Sequence, residues 1–174
     1  HLAPVNMAGE NWVDEGGFSK QLTLSSHGIF GLLKGLDPEL GENSFVSSVS
    51  AMDGRHGNGG ERFNSLAAGA AGVLKSYSHE RPDIRCRAID LHPESIVEAE
   101  ECAASIVEDI LCHAGEVEIG LDRDGRRWAL VQFAEDLTGK RRKLTKDDIW
   151  LVSGGGSGVT AAGIIGVAEA SRGS

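Results

Sequence analysis

The chain has 174 residues, with 17 Lys+Arg against 26 Asp+Glu and a formal net charge of −9, so it lacks the basic balance with which a protein neutralises nucleic-acid phosphates. With 40% hydrophobic residues it is long enough for one ordinary domain and its core, or slightly more. No run approaches the roughly 18–20 apolar residues that cross a bilayer, and no basic-then-apolar signal peptide opens it, which predicts a soluble, cytoplasmic protein without membrane contact.

The single basic cluster, Lys140, Arg141, Arg142, Lys143 and Lys146, reads as solvated linker. Cys86, Cys102 and Cys112 are an odd number without C-x-x-C spacing, which fits reduced structural thiols rather than a disulfide framework or a metal site. The first residue is His1, not an initiator Met, so an upstream segment or its removal is expected.

In chain order the periodicities alternate between strand and helix, as in a parallel sheet with crossover helices. Residues 1–5 form a short extended piece, followed by a glycine-rich loop through Gly17. A helix is predicted over 18–36 with Leu22, Phe30, Leu33 and Leu36 on one face, ended by Pro38. A buried strand follows at 44–50, then a loop over 53–60, which is dense in turn formers. A helix over 61–80, rich in Ala and Gly on its inner side, stops before Pro82. The period-two alternation of 84–90 predicts a strand. Residues 94–113 read as an amphipathic helix, with Ile96, Val97, Ala103, Ile106, Val107, Ile110 and Leu111 inward and Glu98, Glu100, Glu101, Glu108 and Asp109 in solvent. A hairpin of 117–121 and 127–133 turns at Asp124-Gly125. A charged linker over 135–148 precedes a new strand at 149–153, the glycine loop 154–158 and a last helix.

Strand, glycine loop and helix over 149–170 carry the clearest chemistry. Glycines after a parallel strand let backbone amides approach a pyrophosphate, and the helix N-terminus adds donors and a favourable dipole. The spacing Gly154, Gly155, Gly158 differs from G-x-G-x-x-G, and the Lys-Ser/Thr ending of a triphosphate loop is missing, which disfavours phosphoryl transfer.

The run Val152-Ser-Gly-Gly-Gly-Ser-Gly-Val-Thr-Ala161 resembles the nucleotide-binding turn of the short-chain dehydrogenase/reductase superfamily. Within it, the similarity is to the ketoreductase regions of type I polyketide synthases and polyunsaturated fatty acid synthases. Thr160 stands where that family usually has a third glycine, a variation most like the polyunsaturated fatty acid branch. The stretch 67–91, with residues 1–5, 44–50 and the Asp124-Gly-Arg-Arg127 hairpin, resembles in serial order the structural, non-catalytic half of such a ketoreductase, a degenerate Rossmann-like unit.

The resemblance implies a truncated Rossmann-like α/β fold: a structural subdomain over 1–134, a linker over 135–148, and over 149–174 the first strand, loop and helix of the catalytic subdomain. It implies NADPH as the cofactor of an intact parent that reduces a β-ketoacyl thioester on an acyl carrier protein. Gly154, Gly155, Gly156, Ser157, Gly158 and Val159 would line the cofactor. Its partners would be the remaining catalytic subdomain and the carrier protein of the same synthase. Laid on the Tyr-x-x-x-Lys helix of an active reductase, Phe63 falls at the Tyr position and Ala67 at the Lys position, and neither can protonate an alkoxide. No residue of this chain is then expected to be catalytic, and the isolated chain is expected to be inactive. Exposed edges and apolar helix faces predict a homodimer or poor solubility.

Two alternatives stand beside this reading. One is a small nucleotide-binding enzyme complete in itself that recruits His79 or Asp90. The other is a ligand-free interaction scaffold in which the glycine loop is only a tight turn.

Overall fold

A computed structural model of the chain describes residues 1–2, 4–5, 15–97, 99–112, 115–135, 139, 144–145 and 147–172. The chain forms two compact units, His1–Gln132 and Phe133–Ser174. The basic residues at 140–143 and 146, and the expected loop over 6–14, lie outside the described residues.

The first unit begins with helix α1 (Glu15–Leu22), which continues through a π turn (Thr23–His27) into α2 (Gly28–Leu36). Helix thus begins three residues earlier than expected, inside the predicted glycine-rich loop. Its buried row is Gln21, Ser25, Ile29 and Leu33, whereas Phe30 is 59% and Leu36 51% exposed. The expected face is therefore buried at Leu33, half-buried at Leu22 and exposed at Phe30 and Leu36. In a pure α-helix a four-residue row rotates by about 40° at each step. The wider π turn takes back part of that rotation, so a strict four-residue row stays against the core.

Strand β1 (Phe45–Ala51) pairs in parallel with β2 (Arg85–Leu91), β2 in parallel with β3 (Glu118–Leu121), and β3 antiparallel with β4 (Arg127–Ala129), giving the order β1-β2-β3-β4. Helix α3 (Gly69–Glu80) links β1 to β2, and α4 (Ala99–Cys112) links β2 to β3. This is the α/β sheet with crossover helices and a terminal hairpin that the alternating periodicities predict, and its topology is Rossmann-like. His1 extends the sheet edge: its amino group donates to the Ser47 carbonyl, and its own carbonyl accepts from the Val49 amide.

Helices α2 and α3 pack on one face through Ile29, Leu33, Ala70, Leu74, Cys86 and Ala88. Helix α4 packs on the other, through Val49, Ile89, Ile119, Ile106 and Ile110. Helix α3 starts later than the sequence suggests, because Asn64 is extended and its side chain accepts the Leu66 amide, capping a 3₁₀ turn (Ser65–Ala68). Strand β2 is central and covered on both faces, so its polar residues Arg87 and Asp90 are buried despite the period-two pattern.

Helix α4 also departs from expectation. Asp109 is buried rather than solvated, while Val107 and Leu111 are exposed. The cause is an ion-pair cluster: Asp109 Oδ2 lies 3.1 Å from Arg87 Nε and Asp109 Oδ1 2.5 Å from Arg127 Nε. Arg87 also donates to the Glu116 carbonyl. Two guanidinium groups on the sheet thereby fix the rotation of the helix. Strand β4 ends at Ala129, short of the expected 133, and Val131 and Phe133 are exposed.

In the second unit α5 (Gly158–Arg172) forms as expected. The strand expected at 149–153 does not: no strand occurs in this unit among the described residues, and Ile149 and Leu151 are fully exposed. A strand exists by hydrogen bonding to a neighbour, and these residues have no strand partner among the described residues. Among the described residues, no helix is long and apolar enough to cross a membrane.

Candidate functional site

In open parallel sheets, ligands sit beyond the C-terminal ends of the strands. Here Ser50, Asp90 and Gly120 stand side by side across β1, β2 and β3. Because Gly120 has no side chain, the loop after β1 drops onto the sheet: a Cβ on Gly120 would lie 2.0 Å from the Gly54 carbonyl oxygen.

Asp90, with no exposed surface, accepts the amides of Met52 (2.7 Å), His56 (2.9 Å) and Asp53 (3.4 Å), and the Ser50 hydroxyl at 3.5 Å. Burial raises its pKa against the pull of these donors. Asp53 is also buried and accepts the amides of Arg55 (2.9 Å), Gly57 (2.8 Å) and Gly59 (2.8 Å). Burial pushes its pKa up, but those amides outweigh the push and hold it below the usual carboxylate value. The His56 ring nitrogen Nε2 lies 2.8 Å from the Ile119 carbonyl oxygen, to which it donates.

At the hairpin Asp122 accepts Arg55 Nη2 at 3.0 Å and Trp128 Nε1 at 2.8 Å, and Arg55 lies over the Trp128 ring, 4.1 Å from its centroid. Burial opposes ionisation of Asp122, but the Trp128 and Arg55 donors with the Arg126 and Asp124 amides bring its pKa down to about 2. Nearby, His92 Nδ1 accepts the Glu94 amide, so Nε2 carries the proton toward Glu61 Oε2, 3.1 Å away. Both ring nitrogens are thereby engaged.

The part of this end beneath the 53–60 loop is thus filled by its own side chains, while a cleft of about 290 Å³ opens beside it past Leu91, Ser95, Cys102, Leu121 and Asp122. Asp90, the acid candidate of the complete-enzyme reading, has no surface on which to meet a solute. His79 is exposed near the end of α3, which returns to the start of β2, so it and Asp90 lie at opposite ends of the crossover. Phe63 lies over Gly57, where a Cβ would come within 2.6 Å of the ring, and Ala67 is buried beside Met52. Tyr77, the only tyrosine, donates to Asp37 Oδ1 at 2.6 Å; burial and then Asp37 push its pKa up to about 12. Cys86 is buried and Cys102 half-buried, and burial raises both thiols, as suits structural cysteines.

The loop over 154–158 in the second unit has the opposite character. Gly154 (φ 72°) and Gly158 (φ 68°) are left-handed, a conformation natural to glycine, and space is open around the Cβ positions of both. Residues 153–160, including Ser157 and Val159, are exposed. Gly158 opens the 15-residue helix α5, whose first amides have no acceptors within the helix. Free amides, a helix dipole and no side chains in the way can accommodate a pyrophosphate. Gly154, Gly155, Gly156, Ser157, Gly158 and Val159 are contiguous here.

Sequence reasoning did not find Asp53, Asp109 or Asp122. For Asp53 and Asp122 a signal exists: each precedes a turn glycine by one or three residues, where aspartate accepts its own loop's amides. Asp109 has only its helical spacing from Cys102 and Ile106, which puts it on the covered face. No protein-family model, curated protein or solved structure matches this chain.

Proposed function

We propose that the chain is the structural subdomain of a ketoreductase together with the opening of its NADPH-binding subdomain, carried in a cytoplasmic polyketide or polyunsaturated fatty acid synthase. The observation that carries this reading is the contrast between the two units. The first has Rossmann-like topology with the space beneath its 53–60 loop taken up by Asp53 and Asp90; the second presents an open glycine loop at the head of a helix.

Gly154 to Val159 would surround the cofactor pyrophosphate with backbone amides, and the glycines would keep that approach clear of side chains. NADPH, when bound, supplies the hydride that reduces the β-ketone of an acyl thioester held on a carrier protein. The first unit would contribute no acid or base to that step.

The apolar surface of α2 supports a partner. Of its nine residues only Lys34 is charged, and Phe30, Leu32 and Leu36 are exposed. Beside them, a groove of about 930 Å³ runs between α2 and α3 past Phe30, Leu33, Gly72, Val73 and Tyr77. A helix apolar all round belongs in an interface. The remaining ketoreductase subdomain would cover it, and in its absence a second copy would.

Two measurements test the reading. An immunoblot of source cells with an antibody against residues 94–113 should give a band far above 18.4 kDa. In that larger protein Gly158→Glu should abolish NADPH binding, followed by cofactor fluorescence. A band near 18.4 kDa, or unchanged NADPH binding, overturns the proposal.

A further inference from the structure

The loop over 53–60 has the backbone of an anion receptor. Gly54, His56, Gly57 and Gly60 all adopt left-handed conformations, with φ of 70°, 52°, 82° and 82°. Interleaving left-handed with ordinary residues turns successive amides toward one point and makes a concavity for anions. The amides of Arg55, Gly57 and Gly59 meet at 2.8–2.9 Å on the two oxygens of one carboxylate, and that carboxylate belongs to the chain itself. The concavity lies at the C-terminal end of parallel strands, where such sheets receive the anionic groups of ligands.

We propose that residues 53–60 form an oxyanion-binding nest whose native ligand is the Asp53 carboxylate.

The walls set the size of what fits. A Cβ on Gly59 would lie 2.9 Å from Asp53 Oδ2, and one on Gly57 would strike the Phe63 ring at 2.6 Å. The space is that of one carboxylate, so the ligand class is a small planar monoanion. Arg55 does not compete, because its guanidinium is drawn to Asp122 and Trp128. The neighbouring carboxylate, Asp90, accepts the Met52, His56 and Asp53 amides, and its burial favours the neutral form, which can share a proton with the Asp53 carboxylate instead of repelling an anion in the nest. The side chain of Asp53 thus does for this loop what a bound anion does for an open one: it neutralises converging dipoles and fixes a left-handed backbone. The inference does not rest on the ketoreductase reading, since it holds whatever the second unit binds.

Chemical rescue tests it in the full 174-residue chain, with formate as the probe. Asp53→Ala should lower Tm, and millimolar sodium formate should restore most of the loss in a saturable way, while sodium chloride at equal ionic strength does not. Wild type should show no such rise. Asp53→Asn, which fills the space without the charge, should lose Tm and not respond. In amide NMR of Asp53→Ala, formate should shift Arg55, Gly57 and Gly59 selectively. If Asp53→Ala does not stay folded in chloride, refolding from urea is compared in the two salts, and recovery of the far-ultraviolet spectrum in formate alone supports the nest. Equal behaviour of the variant in both salts, folded or not, overturns the proposal, as does a formate response of the same size in wild type.

Discussion

Gly120 on β3 lies directly beneath Gly54: a Cβ on Gly120 would come within 2.0 Å of the Gly54 carbonyl oxygen, and one on Gly54 within 2.3 Å of the Leu121 carbonyl oxygen. Two backbones meet here with nothing between them, and that contact brings the Met52, Asp53 and His56 amides to Asp90. Gly120→Ala is expected to lower the unfolding free energy by about 2–3 kcal/mol, the cost of overpacking plus strained carboxylate hydrogen bonds. Gly72→Ala, in α3 with nothing within 4 Å of the added methyl, should instead gain about 0.5–1 kcal/mol from helix propensity. Urea midpoints of the two variants should therefore move in opposite directions.

Asp109 is buried between Arg87, itself buried, and the partly exposed Arg127. Removing the carboxylate leaves the Arg87 charge in a low-dielectric site, so Asp109→Ala should cost about 3–5 kcal/mol. Arg127→Ala should cost clearly less, because Arg87 still neutralises Asp109. Equal losses in urea unfolding would show that the cluster does not fix the rotation of α4.

Acid should weaken the first unit through Asp53 and Asp122, whose pKa values are depressed in the folded state. An ordinary aspartate titrates near ~3.9, so the stability these groups give is present above that pH and is lost as pH falls toward the folded value, about 2 for Asp122. Asp90 works in the opposite sense. Its raised pKa makes its contribution greatest at low pH and diminishes it as pH rises through the folded value. The urea midpoint should decline between about pH 4 and 2. In Asp122→Asn the midpoint should be lower at neutral pH and the decline shallower, so that wild type and variant converge in acid.

The exposed apolar surface of α2 should make the isolated chain self-associate. Sedimentation velocity is expected to show concentration-dependent dimers or larger species for wild type, and mainly monomer for Phe30→Glu. Because Phe30 is 59% exposed, the substitution should leave the circular dichroism spectrum unchanged. An unchanged association state in the variant would remove α2 from the interface.

Local chemistry determined much of this protein. The β-branched and small residues of 45–51, the period-two alternation of 84–90, the Ala-rich run before Pro82 and the Asp124-Gly125 turn each favour one conformation at short range. Their order was enough for a parallel sheet with crossover helices and a terminal hairpin. The glycine loop and its helix were legible for the same reason, since backbone freedom at Gly154 and Gly158 is a property of the residue.

Tertiary structure decided which polar residues are interior and which apolar ones are not. Asp109 reads as solvated by its charge, but arginines on β2 and β4 hold it on the covered face, and such partners are remote in sequence. Phe30 reads as core, but a π turn upstream sets the row that is buried. The expected strand at 149–153 has the right residues and no neighbour among those described, because strand pairing is a relation between segments. Asp53 and Asp90 take up the amides of the 52–59 segment only because Gly120 leaves room for that loop, a contact that joins residues more than sixty positions apart.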